Sequence, residues 1–235
     1  MAKPQVRAEF TKEMKETHTI ITPNLAPIHF ELIKNGLESA GYKIDLLRTK
    51  GREIVDEGLK YVHNDTCYPA LLSIGQMMHA LHSGNDDLDK VALIMTQTGG
   101  GCRASNYIHL LRKALHKDKL DNIPVISVNI SGLESNSGFK ITLPILRKAL
   151  AALTYGDLLM LLKNQTKPYE ENVGESDELV QKWISKLTSL FSEGKAFSQK
   201  ESQKYYQEIA KSFANINQIK TDKIKVGVVG EIYVK

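Results

Sequence analysis

Residues 91–103, VALIMTQTGGGCR, join an unbroken apolar run to a glycine-rich turn. Such an apolar run is typical of a strand that is buried on both faces, as in a parallel sheet. The glycines that follow, Gly99, Gly100 and Gly101, allow the backbone to turn sharply and to approach a ligand closely. The stretch therefore predicts a buried parallel strand with a binding loop at its carboxyl end.

The sequence on either side of this strand alternates short β-rich runs with amphipathic helical patterns. Further strands are predicted at residues 19–22, 42–47, near 61–62 and at 124–128, with helices entered near Pro27, Pro69 and Tyr107. Alternating strands and helices indicate a parallel sheet that is covered by helices. We therefore expect a Rossmann-like α/β domain over residues 1–139.

From about residue 140 the pattern changes to longer helical periods. Three helices are predicted in a helical extension over residues 140–223, and the first is long or kinked because Gly156 lies inside it. The sequence closes on KVGVVGEIYV, residues 225–234, which has the pattern of a buried strand leading into a glycine turn. We interpret residues 224–235 as the first strand of a second α/β domain, and the chain as a fragment of a longer protein. A closing strand of the first sheet is the alternative.

The composition narrows the class of protein. Hydrophobic residues make up 42% and charged residues 25% of the chain, which excludes disordered, collagen-like and disulfide-scaffold proteins. The net charge of +4 is too small to indicate a nucleic-acid partner. No apolar run reaches the ~18 residues of a membrane span, and the N-terminus lacks the core of a signal peptide. We expect a soluble, cytoplasmic protein with neither a nucleic-acid nor a membrane partner.

The chain has two cysteines, Cys67 and Cys102, and each is expected at the end of a strand, just before a helix. Strand ends of the same polarity lie along one edge of a parallel sheet, where ligands bind, so the two thiols are expected to face each other. Helix N-termini offer free N–H groups and a positive dipole end, which stabilise thiolates and anionic clusters. The guanidinium of Arg103 is suited to balance such a cluster or a phosphate.

A metal cluster normally takes about four protein ligands, and this chain offers only two thiolates. His63, Asp65 and His79 are close to Cys67 in sequence, but the C-x-x-C spacing of zinc sites is absent. Three explanations remain open. The other ligands lie in a further C-terminal portion, two chains donate two cysteines each, or the cysteines are simply buried.

A dinucleotide site is a rival interpretation of the same glycines. Residues 99–104, GGGCRA, match G-x-G-x-x-A after a strand. The fingerprint also requires an acidic residue after the next strand, and that strand ends Ser127-Val128-Asn129 without a carboxylate. The P-loop pattern G-x-x-x-x-G-K-[ST] is missing as well, so the chain is not expected to hydrolyse ATP by itself.

Two cysteine motifs, NDTCYPA at residues 64–70 and GGGCRASNY at residues 99–107, together resemble a known family. They are similar to the 2-hydroxyacyl-CoA dehydratase-like region of the large acyl-CoA dehydratase activase-related proteins, the 2-hydroxyglutaryl-CoA dehydratase activator-related family. The resemblance covers most of residues 8–235. Shorter matching stretches are found at residues 124–127, 155–157, 168–170 and 228–233.

The resemblance implies a 4Fe–4S cluster that handles low-potential electrons, with Cys67 and Cys102 as metal ligands. Gly99, Gly100, Gly101 and Arg103 would lie against this cofactor. It also implies an ATP-hydrolysing activator module, or another low-potential electron donor, and an acyl-CoA as partners.

The family's further cysteine is absent from this chain. The cluster is therefore expected in the complete protein and not in this chain alone, and dehydratase activity of the isolated chain is not expected. The alternative function is that of a non-catalytic interaction or scaffold domain with a vestigial cysteine site.

Overall fold

The structure is a computed structural model, and it describes residues 7–98, 102–129, 134–219, 221–224 and 226–227. Two of the sequence predictions fall outside these residues. They are the glycine loop Gly99, Gly100 and Gly101, and nearly all of the final strand predicted at 224–235.

Eight α-helices and four strands form the described part of the chain. The helices are α1 (Met14–Thr17), α2 (Pro27–Glu38), α3 (Arg52–Tyr61), α4 (Tyr68–His82), α5 (Tyr107–Lys117), α6 (Leu143–Thr166), α7 (Glu175–Ser192) and α8 (Gln199–Ala214). The strands are β1 (Thr19–Thr22), β2 (Lys43–Leu46), β3 (Val91–Thr96) and β4 (Val125–Val128). Short 3₁₀ helices cover Leu88–Lys90 and Arg103–Asn106.

The four strands form one parallel sheet in the order β2-β1-β3-β4. The register places Ile21 of β1 between Asp45 of β2 and Leu93 of β3. Strand β3 is buried along its apolar length, and Ala92 and Leu93 are fully buried. The predicted α/β class, a Rossmann-like parallel sheet covered by helices with further helices toward the C-terminus, is confirmed.

The prediction of a strand near residues 61–62 is wrong. Helix α3 runs to Tyr61, and Val62 is a single extended residue that caps it and points into the core. The reason is a close helix pair, because Gly58 lies against Leu71 and Gly75 lies against the carbonyl oxygen of Ile54. Residues 52–61 therefore form a helix packed on α4, and Cys67 joins two helices instead of following a strand.

The described residues form two compact units. Unit 1 contains residues 7–25 and the described part of Gly41–Lys140, with the sheet. Unit 2 contains Ala26–Ala40 and the described part of Ile141–Gly227. Helix α2, although it lies between β1 and β2 in sequence, groups with the later helices because it packs on α6 and α7.

The core of unit 2 explains this grouping. Leu32 of α2 is fully buried in one apolar cluster with Tyr155 of α6 and Phe191 of α7. Helix α6 is continuous through Gly156, where the imidazole of His29 lies so close that a Cβ atom would collide with it. Among the described residues, no helix has both the length and the apolar character required to cross a membrane.

Candidate functional site

Cys67 is the residue that precedes α4. Its carbonyl oxygen accepts a hydrogen bond from the backbone N–H of Ala70 at 2.9 Å, and Pro69 occupies the first turn of the helix. The side chain is half-buried and packs against the core of unit 1. Its sulfur lies 2.9 Å from the hydroxyl oxygen of Tyr107, within hydrogen-bonding distance. Cys67 is thus a thiol held at the edge of the core.

Cys102 precedes the 3₁₀ helix Arg103–Asn106, which leads directly into α5. Its sulfur accepts a hydrogen bond from the backbone N–H of Ala104 at 3.5 Å, and the side chain is exposed. Because β3 ends at Thr96, Cys102 lies beyond the carboxyl end of that strand. This thiol is accessible and its sulfur receives a backbone donor.

Two contacts join the segment that carries Cys67 to the segment that carries Cys102. The Arg103 guanidinium donates from Nη1 to the carbonyl oxygen of Asp65 at 2.9 Å. The hydroxyl of Tyr107, the first residue of α5, meets the sulfur of Cys67. We refer to residues 63–67 and 102–107 together as the two-cysteine site.

The other ligand candidates near Cys67 interact with each other. The imidazole of His63 accepts from the backbone N–H of Asp65 at 3.2 Å, and its Nδ1 lies 3.4 Å from the Asp65 carboxylate. Both side chains are largely exposed. Within the described ranges, no group of three His, Cys, Asp or Glu side chains could hold a metal ion. The two-cysteine site therefore offers a pair of thiols and no complete ligand set.

The sheet topology places Cys102 at the edge where ligands bind in such folds. The strand order brings β1 beside β3, and in open α/β sheets ligands bind at the carboxyl ends where the order reverses. After β1, the backbone N–H of Asn24 donates to the side-chain oxygen of Gln76 at 3.0 Å. The buried Oδ1 of Asn24 has no hydrogen-bond partner among the described residues.

The next polar group on this edge belongs to β3 and β4. Gln97 is buried, accepts from the hydroxyl of Ser127 at 2.8 Å, and donates to the carbonyl oxygen of Ser105 at 3.3 Å. The amide of Asn129 donates to the Ser127 hydroxyl at 3.0 Å. Gln97 thus ties the segment after Cys102 to the ends of two strands, which orients the two-cysteine site on the sheet.

Sequence reasoning missed Tyr107, which belongs to the two-cysteine site, and Gln97, which connects this site to the sheet. Tyr107 is part of the cysteine motif, but its apolar spacing predicts only a buried helical position. Tyr107 is predicted to begin a helix five residues after Cys102. A long side chain at the start of a helix can reach a neighbouring loop, and this is the one feature of the sequence that could have indicated its role. Nothing local marks Gln97.

Two matching stretches outside the site have structural roles in unit 2. Gly156, in the stretch at residues 155–157, makes room for His29, whose Nε2 lies 3.0 Å from the Asp157 carboxylate. Glu170, in the stretch at residues 168–170, accepts hydrogen bonds from the backbone N–H groups of Gly174 and Ser176 at the start of α7. The nearby Ser176 side chain first, and then the hydrogen bonds from these backbone N–H groups, lower the pKa of the Glu170 carboxyl.

No protein-family model, no curated protein and no solved structure matches this chain. The resemblance to the dehydratase-related family is therefore carried by its motifs alone.

Proposed function

We propose that unit 1 contributes Cys67 and Cys102 as thiolate ligands of a 4Fe–4S cluster. The protein would then be an iron–sulfur protein similar to the 2-hydroxyacyl-CoA dehydratases and their ATP-dependent activators. The observation that carries the proposal is the pairing of the two free cysteines on segments joined by the Arg103–Asp65 and Tyr107–Cys67 contacts. A pair of merely buried cysteines would need neither an exposed thiol nor this connection.

The donor set fits half of such a cluster. Iron–sulfur clusters are held by cysteine thiolates, normally about four. The described residues supply two thiols, and they contain no group of three His, Cys, Asp or Glu side chains that could hold a metal ion. The cluster would therefore need two further ligands, and a second copy of the chain, with its own two thiolates, can supply them.

The residues around the thiols suit an anionic group. Arg103 places a positive charge next to Cys102 while one of its N–H groups anchors the Asp65 carbonyl. The hydroxyl of Tyr107 is placed to donate to the sulfur of Cys67, and hydrogen bonds to ligand sulfurs tune cluster potentials. When bound, the cluster would pass low-potential electrons from an ATP-hydrolysing activator or a similar donor toward dehydration of an acyl-CoA. We place the protein in the cytoplasm, because free thiols persist in reducing compartments.

Anaerobic reconstitution tests this function. The chain is incubated with ferrous iron and sulfide under argon, desalted, and analysed for iron, for sulfide and for broad absorption near ~400 nm. We expect the chain purified in air to be colourless and the reconstituted chain to be brown. Cys67→Ser and Cys102→Ser should each lose most of the iron, because a neutral hydroxyl is a far poorer iron ligand than a thiolate.

Tyr107→Phe is the matched control, because it changes the same site and keeps both thiols. It should retain the iron of the unchanged chain. About two iron atoms per chain would indicate one cluster shared by two chains. Equal iron in the unchanged chain and in both serine variants would contradict the proposal.

A second candidate, a non-catalytic interaction domain with a vestigial cysteine site, is favoured by one observation. Helix α6 leaves large apolar side chains exposed, among them Leu143, Leu150 and Leu161. This function predicts no cluster under any reconstitution condition, so the same experiment separates the two candidates.

A further inference from the structure

Helix α6 is apolar on two opposite sides. One side carries Ile145, Ala152, Tyr155 and Leu159, which are buried in unit 2. The other side presents a row of exposed apolar residues, which we call the α6 face: Leu143, Leu146, Leu150, Leu153, Met160 and Leu161. Their exposed fractions lie between 42% and 62%. A contiguous row of exposed apolar side chains marks an interaction surface, so we expect a partner on the α6 face.

The spacing of the α6 face indicates what kind of partner this is. Residues 143, 146, 150, 153 and 160 follow one another at intervals of three, four, three and seven, with Asp157 in the remaining place of the repeat. Apolar residues repeating every 3.5 positions form the seam along which one helix pairs with another. At ~1.5 Å per residue the seam is about 26 Å long. The partner is therefore a helix with a matching seam.

We infer that this partner is α6 of a second copy of the chain, paired antiparallel about a two-fold axis near residues 151–152. Two charged residues are exposed along this side of α6, Arg147 and Asp157. In a parallel pair Asp157, which occupies a place in the seam, would meet Asp157 of the other copy. In the antiparallel pair centred there, Asp157 of each copy faces Leu146 of the other, so Arg147, the next residue along the helix, lies beside it.

The apolar residues fit the same arrangement. With the axis at this position, Leu143 faces Met160 of the second copy and Leu150 faces Leu153. Arg147 has no hydrogen bond or ion pair within the described part of the chain. Asp157 is 73% exposed while one of its oxygens contacts His29. Two new ion pairs can therefore form without breaking existing ones, and a closed two-fold pair uses the same surface on both copies.

The size of the α6 face sets the expected affinity. Helix pairs of this length bury on the order of 600 Å² per copy, which is at the low end for stable complexes. We therefore expect a dimer with a dissociation constant in the micromolar range. Such a dimer does not depend on the two-cysteine site, and its test requires no cluster.

Sedimentation equilibrium of the full chain, at concentrations up to about 200 µM, tests the inference. Leu150→Glu should raise the dissociation constant about 100-fold, because two carboxylates would be buried beside the axis. Leu59→Glu is the matched control: Leu59 is 50% exposed on α3, and this variant should dimerise like the unchanged chain. Circular dichroism melting shows whether each variant is folded. A monomeric unchanged chain, or a dimer that folded Leu150→Glu leaves intact, would overturn the inference.

The antiparallel arrangement has its own test. Arg147→Glu should weaken the dimer about tenfold, and combining it with Asp157→Arg should restore most of the affinity. A covalent version uses chains in which Cys67 and Cys102 are serine. Leu143→Cys alone should not cross-link, whereas Leu143→Cys with Met160→Cys should form disulfide-linked dimers. Cross-linking by Leu143→Cys alone, or none by the pair in a chain that dimerises, would overturn it.

Discussion

The segment that carries Cys67 and the segment that carries Cys102 place their cysteines alike and hold them differently. Each cysteine is the residue just before a helix, with its carbonyl oxygen accepting from the backbone three residues on. Cys67, however, starts the long helix α4 against the core, whereas Cys102 starts a single 3₁₀ turn and faces solvent. The thiol of Cys67 therefore packs against the core, and the thiol of Cys102 lies on the surface.

This difference assigns the two thiols different parts in any shared ligand. Cys67 has its position fixed before a ligand arrives, because its neighbours Pro69 and Ala70 are buried. Cys102 is held by one backbone donor at 3.5 Å and by Arg103, which reaches back to Asp65. We therefore interpret Cys67 as the fixed member of the pair and Cys102 as the adjustable one.

Thiol labelling gives the largest expected contrast between the two segments. With a maleimide reagent, Cys102 should react about 30-fold faster than Cys67, since Cys67 must first open locally at a cost of about 2 kcal/mol. Following labelling by mass spectrometry in the Cys67→Ser and Cys102→Ser variants identifies each rate. Equal rates would show that the two thiols are equally accessible and that Cys67 is not the better protected of the two.

The sequence predicts the strands of unit 1 better than it predicts the connection that carries Cys67. Runs such as 19–22 and 91–95 are short, apolar and bounded by turn residues, and β1 and β3 lie there. The pair Tyr61-Val62 has the same local character, but it ends a helix whose buried Ile54 and Gly58 follow the helical period. The packing of α3 on α4 decides between these outcomes, and a short window of sequence does not contain it.

The contacts of the two-cysteine site cannot be predicted from sequence patterns for a related reason. Tyr107 and Cys67 are 40 residues apart, and Arg103 and Asp65 are 38 apart. Periodicity identifies which residues of a helix are apolar, but it does not identify the element they meet. Helix α2 illustrates the same limit, because its apolar side fits a covering of the sheet as well as the core with α6 and α7.

The second expected difference concerns stability at low pH, because helix α3, which packs on the helix that follows Cys67, contains a buried carboxylate. Glu57 on α3 contacts Lys60 at 2.5 Å and His82 at 2.8 Å. Burial raises the pKa of Glu57, but hydrogen bonds and charges from Lys60 and His82 outweigh it, and the net pKa is lowered from 4.5. A carboxyl with a lowered pKa stabilises the fold above its unfolded pKa, and this contribution is lost as the pH falls through the folded value.

We therefore expect Glu57→Gln to destabilise unit 1 by about 1–2 kcal/mol at pH 7, with the difference shrinking below about pH 4.5. Urea unfolding at several pH values measures it. Asp56→Asn is the control, because Asp56 is exposed and its ion pair with Arg52 lies on the surface. A destabilisation that stayed constant down to pH 3 would contradict the role of the ionised carboxylate.

Serine substitution gives the third contrast. Cys67→Ser should lower the free energy of unfolding by about 1 kcal/mol, because a half-buried sulfur that packs on the core is exchanged for a hydroxyl. Cys102→Ser should change it by less than ~0.5 kcal/mol, as is usual for exposed positions. Thermal melting of both variants without metal tests this. A larger loss for Cys102→Ser would reverse the assignment of the fixed and adjustable thiols.

Tyr107→Phe gives the smallest contrast and the most specific one. The ring of Tyr107 is buried, and its hydroxyl contacts the sulfur of Cys67. The phenylalanine variant therefore keeps the packing of the ring and removes one polar contact. A single hydrogen bond contributes about 1 kcal/mol, so Cys67 should react about threefold to fivefold faster with maleimide while Cys102 keeps its rate. Labelling of both thiols in one sample supplies the internal control, because global destabilisation would accelerate other protected sites as well. If Cys102 accelerated along with Cys67, the hydroxyl would support the junction of the two segments and not the Cys67 sulfur itself.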